Sequence, residues 1–311
     1  MSLRAHADLV VFGEFFLDLV FYHLPDPPSM GKEVKTGHFA EAAGGGVATT
    51  ALIAAGLGTA TAVVTRVGED ARHKPAWMRL EQSGICTAGS EYSKKFPTAM
   101  TVCAAHNGER MMITHDPINN ELHKLLGRPA VKRQISRARH VHFACTPAPI
   151  ELWAPKLRAL RLLRLTVSTD LGWNPDVLQS STLPSLLQHC DFTFPNEVEA
   201  RAMTEEKSVE KAARKLSTWV RVPVVKLGQD GCIAVQDGRL LRMKSIKVDS
   251  VDATGAGDAF NGGFLHGYLA GWALEDCIRA GNVCGAMATT SPGGSSAVPS
   301  RVKLLRMMKR I

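Results

Sequence analysis

Cysteine is sparse and never spaced for a shared site. There are seven in 311 residues, at 86, 103, 145, 190, 232, 277 and 284, with no C-x-x-C among them. An odd count without paired spacing excludes a secreted disulfide framework and a cysteine-based zinc site, so reduced thiols in a cytoplasmic protein are expected. Long apolar runs are missing too. No window approaches the ~18 uninterrupted apolar residues that mark a membrane-spanning helix, so no membrane partner is expected. The amino-terminal stretch carries Asp8, Glu14 and Asp18 through its apolar part and lacks a small-residue cleavage site, unlike a secretory signal. Aromatic residues make up only 6%, and no basic stretch interleaves with them as a stacking platform for nucleic acid would. A G-x-x-x-x-G-K-[ST] string is absent, which excludes a P-loop nucleotide site.

What is present is a basic chain of ordinary globular composition. Lys and Arg outnumber Asp and Glu by 37 to 29, a net charge of +8. The excess is dispersed over residues 128–139, 156–164 and 301–310, as solvated helix faces are. No nucleic-acid partner is expected, whereas an anionic small molecule such as a nucleotide suits the sign. His140 and His142 flank one residue in the apolar run HVHFAC and so share a strand face, but no third ligand is near, and a structural role is expected.

Short apolar runs alternate with longer amphipathic stretches. Strands are expected over 9–12, 61–65, 99–105, 140–143, 166–169, 191–194, 222–226 and 232–236. Helices are expected over 47–55, 72–82, 150–163, 197–203, 209–219, 256–270, 274–289 and 302–308. This alternation predicts an α/β fold with a mostly parallel central sheet covered by helices on both faces, in a single domain over residues 1–311. Two stretches break the rhythm. Residues 15–41 hold apolar pairs and turn residues without helical period, and residues 96–115 read as two strands around Asn107-Gly108, a hairpin signal. Together they predict a small projecting β-sheet that acts as a lid.

The segment most suited to chemistry is Asp252-Ala253-Thr254-Gly255-Ala256-Gly257-Asp258-Ala259-Phe260, followed by a run of helical spacing. The free N–H groups at such a helix start attract anions. Small side chains let a phosphate approach the backbone. Asp258 falls in the first helical turn, where a carboxylate is either a dipole partner or a general base facing a hydroxyl.

This string, DATGAGDAF, resembles the carboxyl-terminal signature of the ribokinase-like (PfkB) family of carbohydrate and nucleoside kinases. The resemblance runs from about residue 8 to 300. It implies a three-layer α/β/α ribokinase-like sandwich, ATP as phosphoryl donor, Asp258 as catalytic base, and Gly255, Ala256 and Gly257 as anion hole. Gly44-Gly45-Gly46 and the helix after it resemble the family's amino-terminal glycine signature, which normally ends in Asn where this chain has Thr49. Asp18, in GEFFLDLVF, matches the family's acceptor of substrate hydroxyls. Asn196 and Glu199, in PNEVE, resemble the family's N-x-x-E motif, which implies Mg²⁺ held by Glu199 through water. Lys226, Gly228 and Gly231, in KLGQDG, resemble the nucleotide loop, and Asn282 with residues 289–294 the adenine side. Family members that bind K⁺ place it at positions matching Asp252, Thr254, Ala288, Ser291, Gly293 and Ala297.

The sugar side departs from the family's ribose kinases. There the resemblance implies an amide, a lysine, an amide and a carboxylate, at positions where this chain has Phe16, Gly46, Thr49 and Cys145. A site missing that many hydrogen-bond partners binds ribose poorly, and Phe16 suits stacking on a base or an apolar substituent. The expected activity is phosphorylation of a hydroxyl on a sugar or sugar-like molecule. The alternatives are a nucleoside kinase with an adenosine-like acceptor, or a catalytically silent regulator that binds sugar or nucleotide. A homodimer through the lid sheet is the remaining partner expectation.

Overall fold

The computed structural model describes residues 7–107, 109–294 and 298–310. Its main sheet has eight strands in the order Arg239–Met243, Cys232–Gln236, Val222–Lys226, Phe192–Thr193, Thr166–Asp170, His140–Ala144, Leu9–Gly13 and Thr61–Val64. Neighbours are parallel from Val222–Lys226 to Thr61–Val64, and the last two strands on the other side are antiparallel. Every residue of Leu9–Gly13 is buried, as a central strand covered on both faces requires. Its side chains alternate between two apolar layers: Val10 and Phe12 join Phe143, Trp153 and Leu157, while Leu9 and Val11 join Val47, Phe260 and Phe264. The three layers expected from the alternation are therefore present.

The small sheet expected to act as a lid, called the lid sheet below, is a separate four-stranded sheet, ordered Phe39–Gly44, Phe16–Phe21, Met100–His106 and Glu109–His115. Asn107 turns the hairpin with a positive φ of 49°, and Gly108 lies outside the described residues. The sheet reaches Gly44, three residues past the expected limit, because Ala42, Ala43 and Gly44 are buried while Phe39 and Glu41 stay exposed. Phe21, Phe39, Val102 and Ile113 leave its outer surface apolar and exposed.

Several elements went unread in the sequence. Arg239–Met243 is a half-exposed edge strand without a continuous apolar run. Arg66–Gly68 and Glu91–Ser93 form a short two-stranded sheet, each only three residues long. Asn119–Gly127 is a 3₁₀ segment, whose period of three matches neither pattern sought. His140 and His142 are buried and share Ser168: His140 Nε2 and His142 Nδ1 each lie 2.7 Å from its Oγ. Burial lowers both imidazoles, His142 to about 4, in keeping with a structural role. Among the described residues no helix is long and apolar enough to cross a membrane.

The chain order leaves the sheet on opposite sides of Leu9–Gly13: first to Thr61–Val64, later to His140–Ala144. Such a reversal opens a crevice beyond the carboxyl ends of the two strands, where α/β folds bind ligands. Glu14 follows one end directly and Thr146 lies two residues past the other, and Glu14 N donates to Ala144 O at 3.0 Å.

Candidate active site

The helix Ala256–Leu269 begins at Gly255, which holds φ at +70° and has no side-chain cap. A residue with a Cβ is strained there, and glycine is not. The first turn thus leaves backbone donors unclaimed by any side chain, which favours an anion. Lys226 comes to the same turn from the end of its strand. A Cβ on Gly257 would stand 3.0 Å from Lys226 Nζ, so the absent side chain is what lets the ammonium approach.

Asp258 sits one residue further on. Burial raises its carboxyl to about 7, with Asp170 and Glu199 adding to the rise and Lys226 and Arg110 opposing it. Lys226 donates to Asp170 Oδ2 at 2.6 Å, and Asn261 Nδ2 donates to the same oxygen at 2.6 Å. Burial pushes Asp170 up, but Lys226 and the two hydrogen bonds outweigh it and hold the carboxyl below its ordinary value. Glu199 is raised, by burial first and then by Asp170. Three carboxylates therefore share one ammonium: Asp170 keeps its charge beside it, and Asp258 and Glu199 hold their protons more tightly.

The glycine run forms the opposite wall. A Cβ on Gly46 would lie 2.9 Å from Asp258 Oδ1 and 2.8 Å from Ala144 Cβ. One on Gly44 would fall 2.1 Å from the Asp18 carboxyl, which occupies that space. One on Gly45 would meet Glu14 O at 2.2 Å and Phe16 Cδ2 at 3.0 Å. Asp18 is buried, and its carboxyl rises to about 7 through burial, then through Asp258 and Asp252. Thr49 is buried behind Gly255, its Oγ1 3.4 Å from where a Cβ there would be. The fold thus gathers Asp18, Gly44, Gly46, Thr49, Gly255, Gly257 and Asp258 into one corner from three separate segments.

On the nucleotide side the expected residues are only partly gathered. Gly231 closes a turn in which Leu227 N donates to Gly231 O at 2.8 Å, and its Cβ would meet Met243 O at 1.9 Å. Gly228 takes a positive φ in the same turn. Asn282 Nδ2 donates to Lys244 O at 3.1 Å, so Gly231 and Asn282 both bear on residues 243–244. Asn196 and Glu199 form a capping box, each side chain accepting from the other's N–H at 2.8 Å. Asn196 therefore serves a helix start, while Glu199 keeps one oxygen outside the box.

Asp252 ties two loops together. Its Oδ1 accepts from Thr254 N at 2.9 Å and Thr254 Oγ1 at 2.7 Å, and its Oδ2 from Gly293 N at 2.8 Å. Val251 N and Asp252 N both donate to Thr289 O, which sets Ala288 and Ser291 beside them in the chain. Ala297 lies outside the described residues.

Cys145 departs from its expected place. It is 3% exposed within the apolar cluster of Phe12, Phe143 and Trp153, and burial drives its thiol well above the ordinary range. It follows the strand end as expected, but its side chain belongs to the core layer. Three groups went unread. Asp170 ends a strand beside Lys226, and a carboxylate at the end of a parallel strand is the signal that would have found it. Asn261, three residues after Asp258, shares its helix face. Glu14 lay in the quoted segment GEFFLDLVF, unremarked as a site residue. Arg110 is exposed on the lid hairpin, yet it pulls on the protons of Asp258 and Cys103, so the hairpin's charge reaches the cleft.

The profile of the pfkB family carbohydrate kinases matches residues 6–301. A cytidine kinase from Thermococcus kodakarensis is 28% identical over 285 residues, covering 88% of this chain and 93% of that one. A ribokinase from Haemophilus influenzae is 27% identical over 310 residues, covering 97% and 98%. The crystal structure of a putative ribokinase from Agrobacterium tumefaciens superposes with a TM-score of 0.85 at 21% identity, covering 98% of both chains.

Proposed function

The chain belongs to the pfkB family of carbohydrate kinases, ATP-dependent phosphotransferases, and from that premise we propose that it phosphorylates a hydroxyl of a sugar or nucleoside with Asp258 as general base. The observation that carries this is the meeting of Asp258 with Gly46, beside an uncapped helix start and a buried lysine. A carboxyl near 7 takes a proton from an alcohol better than one held at 3.8 does, while about half of it stays ionised at neutral pH. Asp18, across the glycine wall, accepts hydrogen bonds from the other hydroxyls and so orients the one that reacts. As the hydroxyl oxygen attacks in line and the bond to ADP breaks, charge spreads over the transferred group. The backbone donors at Gly255 and Gly257 and the Lys226 ammonium are the groups we assign to that charge, and the Ala256 N–H joins them on leaving Ala253 O, to which it donates at 3.3 Å.

Among the described residues no three His, Cys, Asp or Glu side chains are placed to hold a metal directly, so Glu199, with one oxygen outside the capping box, is the group we assign to hold Mg²⁺ through water. When bound, the ion supplies positive charge to the phosphate oxygens. Asp252 is 2% exposed, and among the described residues no lysine, arginine or histidine lies within ion-pair distance of it. The three hydrogen bonds to its carboxylate are all from neutral donors, so a counter-charge is what the buried group still lacks, which fits K⁺ held by Asp252 and the backbone of Thr254, Ala288, Ser291 and Gly293. The apolar outer face of the lid, with Phe21, Phe39, Val102 and Ile113, suits a homodimer formed lid to lid.

A coupled ADP-release screen against sugars, sugar acids and nucleosides tests the reading. Acceptor-dependent ADP release that vanishes in Asp258→Asn supports it. Acceptor and ATP binding without ADP release from any acceptor would favour the silent regulator instead.

A further inference from the structure

Lys226 has three carboxylates within electrostatic reach and bonds to one of them. Its ammonium donates to Asp170 Oδ2 at 2.6 Å, while Glu199 and Asp258 act on it through space. Among the described residues it makes no ion pair with either of those two. Nearness along the chain does not explain the choice, since Asp170 is 56 positions away. Nor does distance from the base, because Nζ already stands at the Gly257 turn, next to Asp258.

Two features favour Asp170. Asn261, on the helix that carries Asp258, donates through Nδ2 to the same Oδ2 at 2.6 Å. Asn261 is fully buried, and its Oδ1 has no partner. Turning the amide over would set oxygen against oxygen, so the unpaired carbonyl follows from serving Asp170. A buried acceptor left unpaired is destabilising, and a residue placed for packing alone would not carry one. The second feature lies behind Asp170 on the same face of its strand, Thr166–Asp170. There Ser168 Oγ sits 2.7 Å from both His140 Nε2 and His142 Nδ1, and Thr166 Oγ1 sits 2.8 Å from His140 Nδ1. The strand face is pinned side chain by side chain, and a carboxylate at its end is a fixed anchor.

Resting on the kinase reading above, we propose that Asp170, aimed by Asn261, is a positioning residue that parks the Lys226 ammonium away from Asp258. The parking serves two groups at once. Asp258 keeps its carboxylate oxygens open to the acceptor hydroxyl, because the ammonium beside it is engaged elsewhere. Lys226 gives one of its three N–H groups to Asp170 and keeps the others for the transferred phosphoryl group. Without the anchor the ammonium pairs with the base next to it, and both are lost to the reaction. The charged groups facing Asp258 are Asp170, Glu199, Asp18, Lys226 and Arg110. Of the two cations Arg110 is exposed, so Lys226 is the one whose placement matters most. His142, which faces Asp170 and Lys226, is neutral.

Carbon NMR of labelled aspartate, read without nucleotide or Mg²⁺ and assigned with Asp258→Asn, follows the titration of Asp258 directly. Asp170→Asn keeps the shape of the anchor and removes its charge. The Asp258 midpoint is then expected to fall from about 7 to about 4–6, as for a carboxylate that gains a cation. Well above that midpoint, where the base is ionised in both proteins, kcat is expected to drop about ten- to hundredfold with both KM values little changed. Asn261→Ala leaves every charge in place, so a lower midpoint there reports movement of the ammonium and not the loss of a like charge. It is expected to lower the midpoint by a smaller step and kcat by about threefold or more. A merely structural Asn261 would lower Tm and leave the midpoint where it is. An unmoved midpoint or an unchanged kcat in Asn261→Ala would overturn the proposal, whether or not Asp170→Asn folds. A lowered midpoint, with no ADP release from the unaltered protein on any acceptor, would keep the parking and sink the kinase reading.

Discussion

At the helix end of the cleft, the Gly255–Gly257 turn offers backbone donors to an anion, and its selectivity lies in what is missing: side chains at 44, 46 and 257 that would fill the space used by Asp18, Asp258 and Lys226. At the far end, a cavity beyond Gly45 is walled by side chains from four separated stretches of chain and offers carboxylates instead. One end presents backbone donors and an ammonium to the crevice, the other carboxylates. On the proposed function the first would serve any acceptor, and the second would bear on which acceptor is served.

The sharpest way to break this division is Asp258→Asn. It keeps the shape of the helix end and removes the proton acceptor, so kcat is expected to fall by about 10²–10⁴-fold with ATP and acceptor binding largely retained. Steady-state kinetics beside calorimetry checks it, and near-normal turnover would move the base elsewhere. Lys226→Met strikes the same end through its electrostatics. It leaves Asp170, Glu199 and Asp258 crowded with no ammonium, and a loss of about 3–5 kcal/mol in unfolding free energy is expected, as for a buried pair stripped of one partner. Asp170→Asn added to it is expected to recover part of that loss, as read by urea denaturation.

Asp18→Ala moves to the boundary between the two ends. The KM for the acceptor is expected to rise by the equivalent of about 1.5–3 kcal/mol, the range for a hydrogen bond to a charged group, while KM for ATP barely changes. A rise in KM for ATP instead would place Asp18 on the wrong side. The pH profile follows from the same corner. Asp258 must be ionised to act, and its carboxyl stands raised to about 7 in the free protein. Activity expressed as kcat/KM is therefore present above about 7 and falls by nearly tenfold per unit below it. An ordinary aspartate would hold activity down to near 3.8. The smallest effect is expected outside the cleft: Phe39→Glu on the exposed lid face should shift sedimentation toward monomer and leave kcat within about twofold.

How legible each end was follows from how it is built. The helix end is written in consecutive residues, because a backbone anion site needs small residues and a positive φ at fixed spacing, and DATGAGDAF carries that need openly. The glycine run was legible for the same reason, as was the lid, whose Asn107-Gly108 turn and lack of helical period set it apart. Cys145 was misplaced because alternate residues of a strand face opposite layers, and its thiol fell on the core side. Asp170 and Asn261 escaped notice because each is ordinary within its own segment; only their convergence on Lys226 makes a cluster.

The sequence by itself determined the alternation of strands and helices, the amphipathic surfaces that stack them into three layers, and the local chemistry of the Gly255 turn. Those follow from periodicity and backbone geometry, which act over a few residues. Tertiary structure alone decided that Asp18 would stand within electrostatic reach of Asp258, that three carboxylates would share one lysine, and that the cavity beyond Gly45 would be lined by acidic residues in a basic protein. Burial and charge proximity are properties of position in space. They act between residues far apart in the chain, 56 positions for Asp170 and Lys226, and leave no pattern along it.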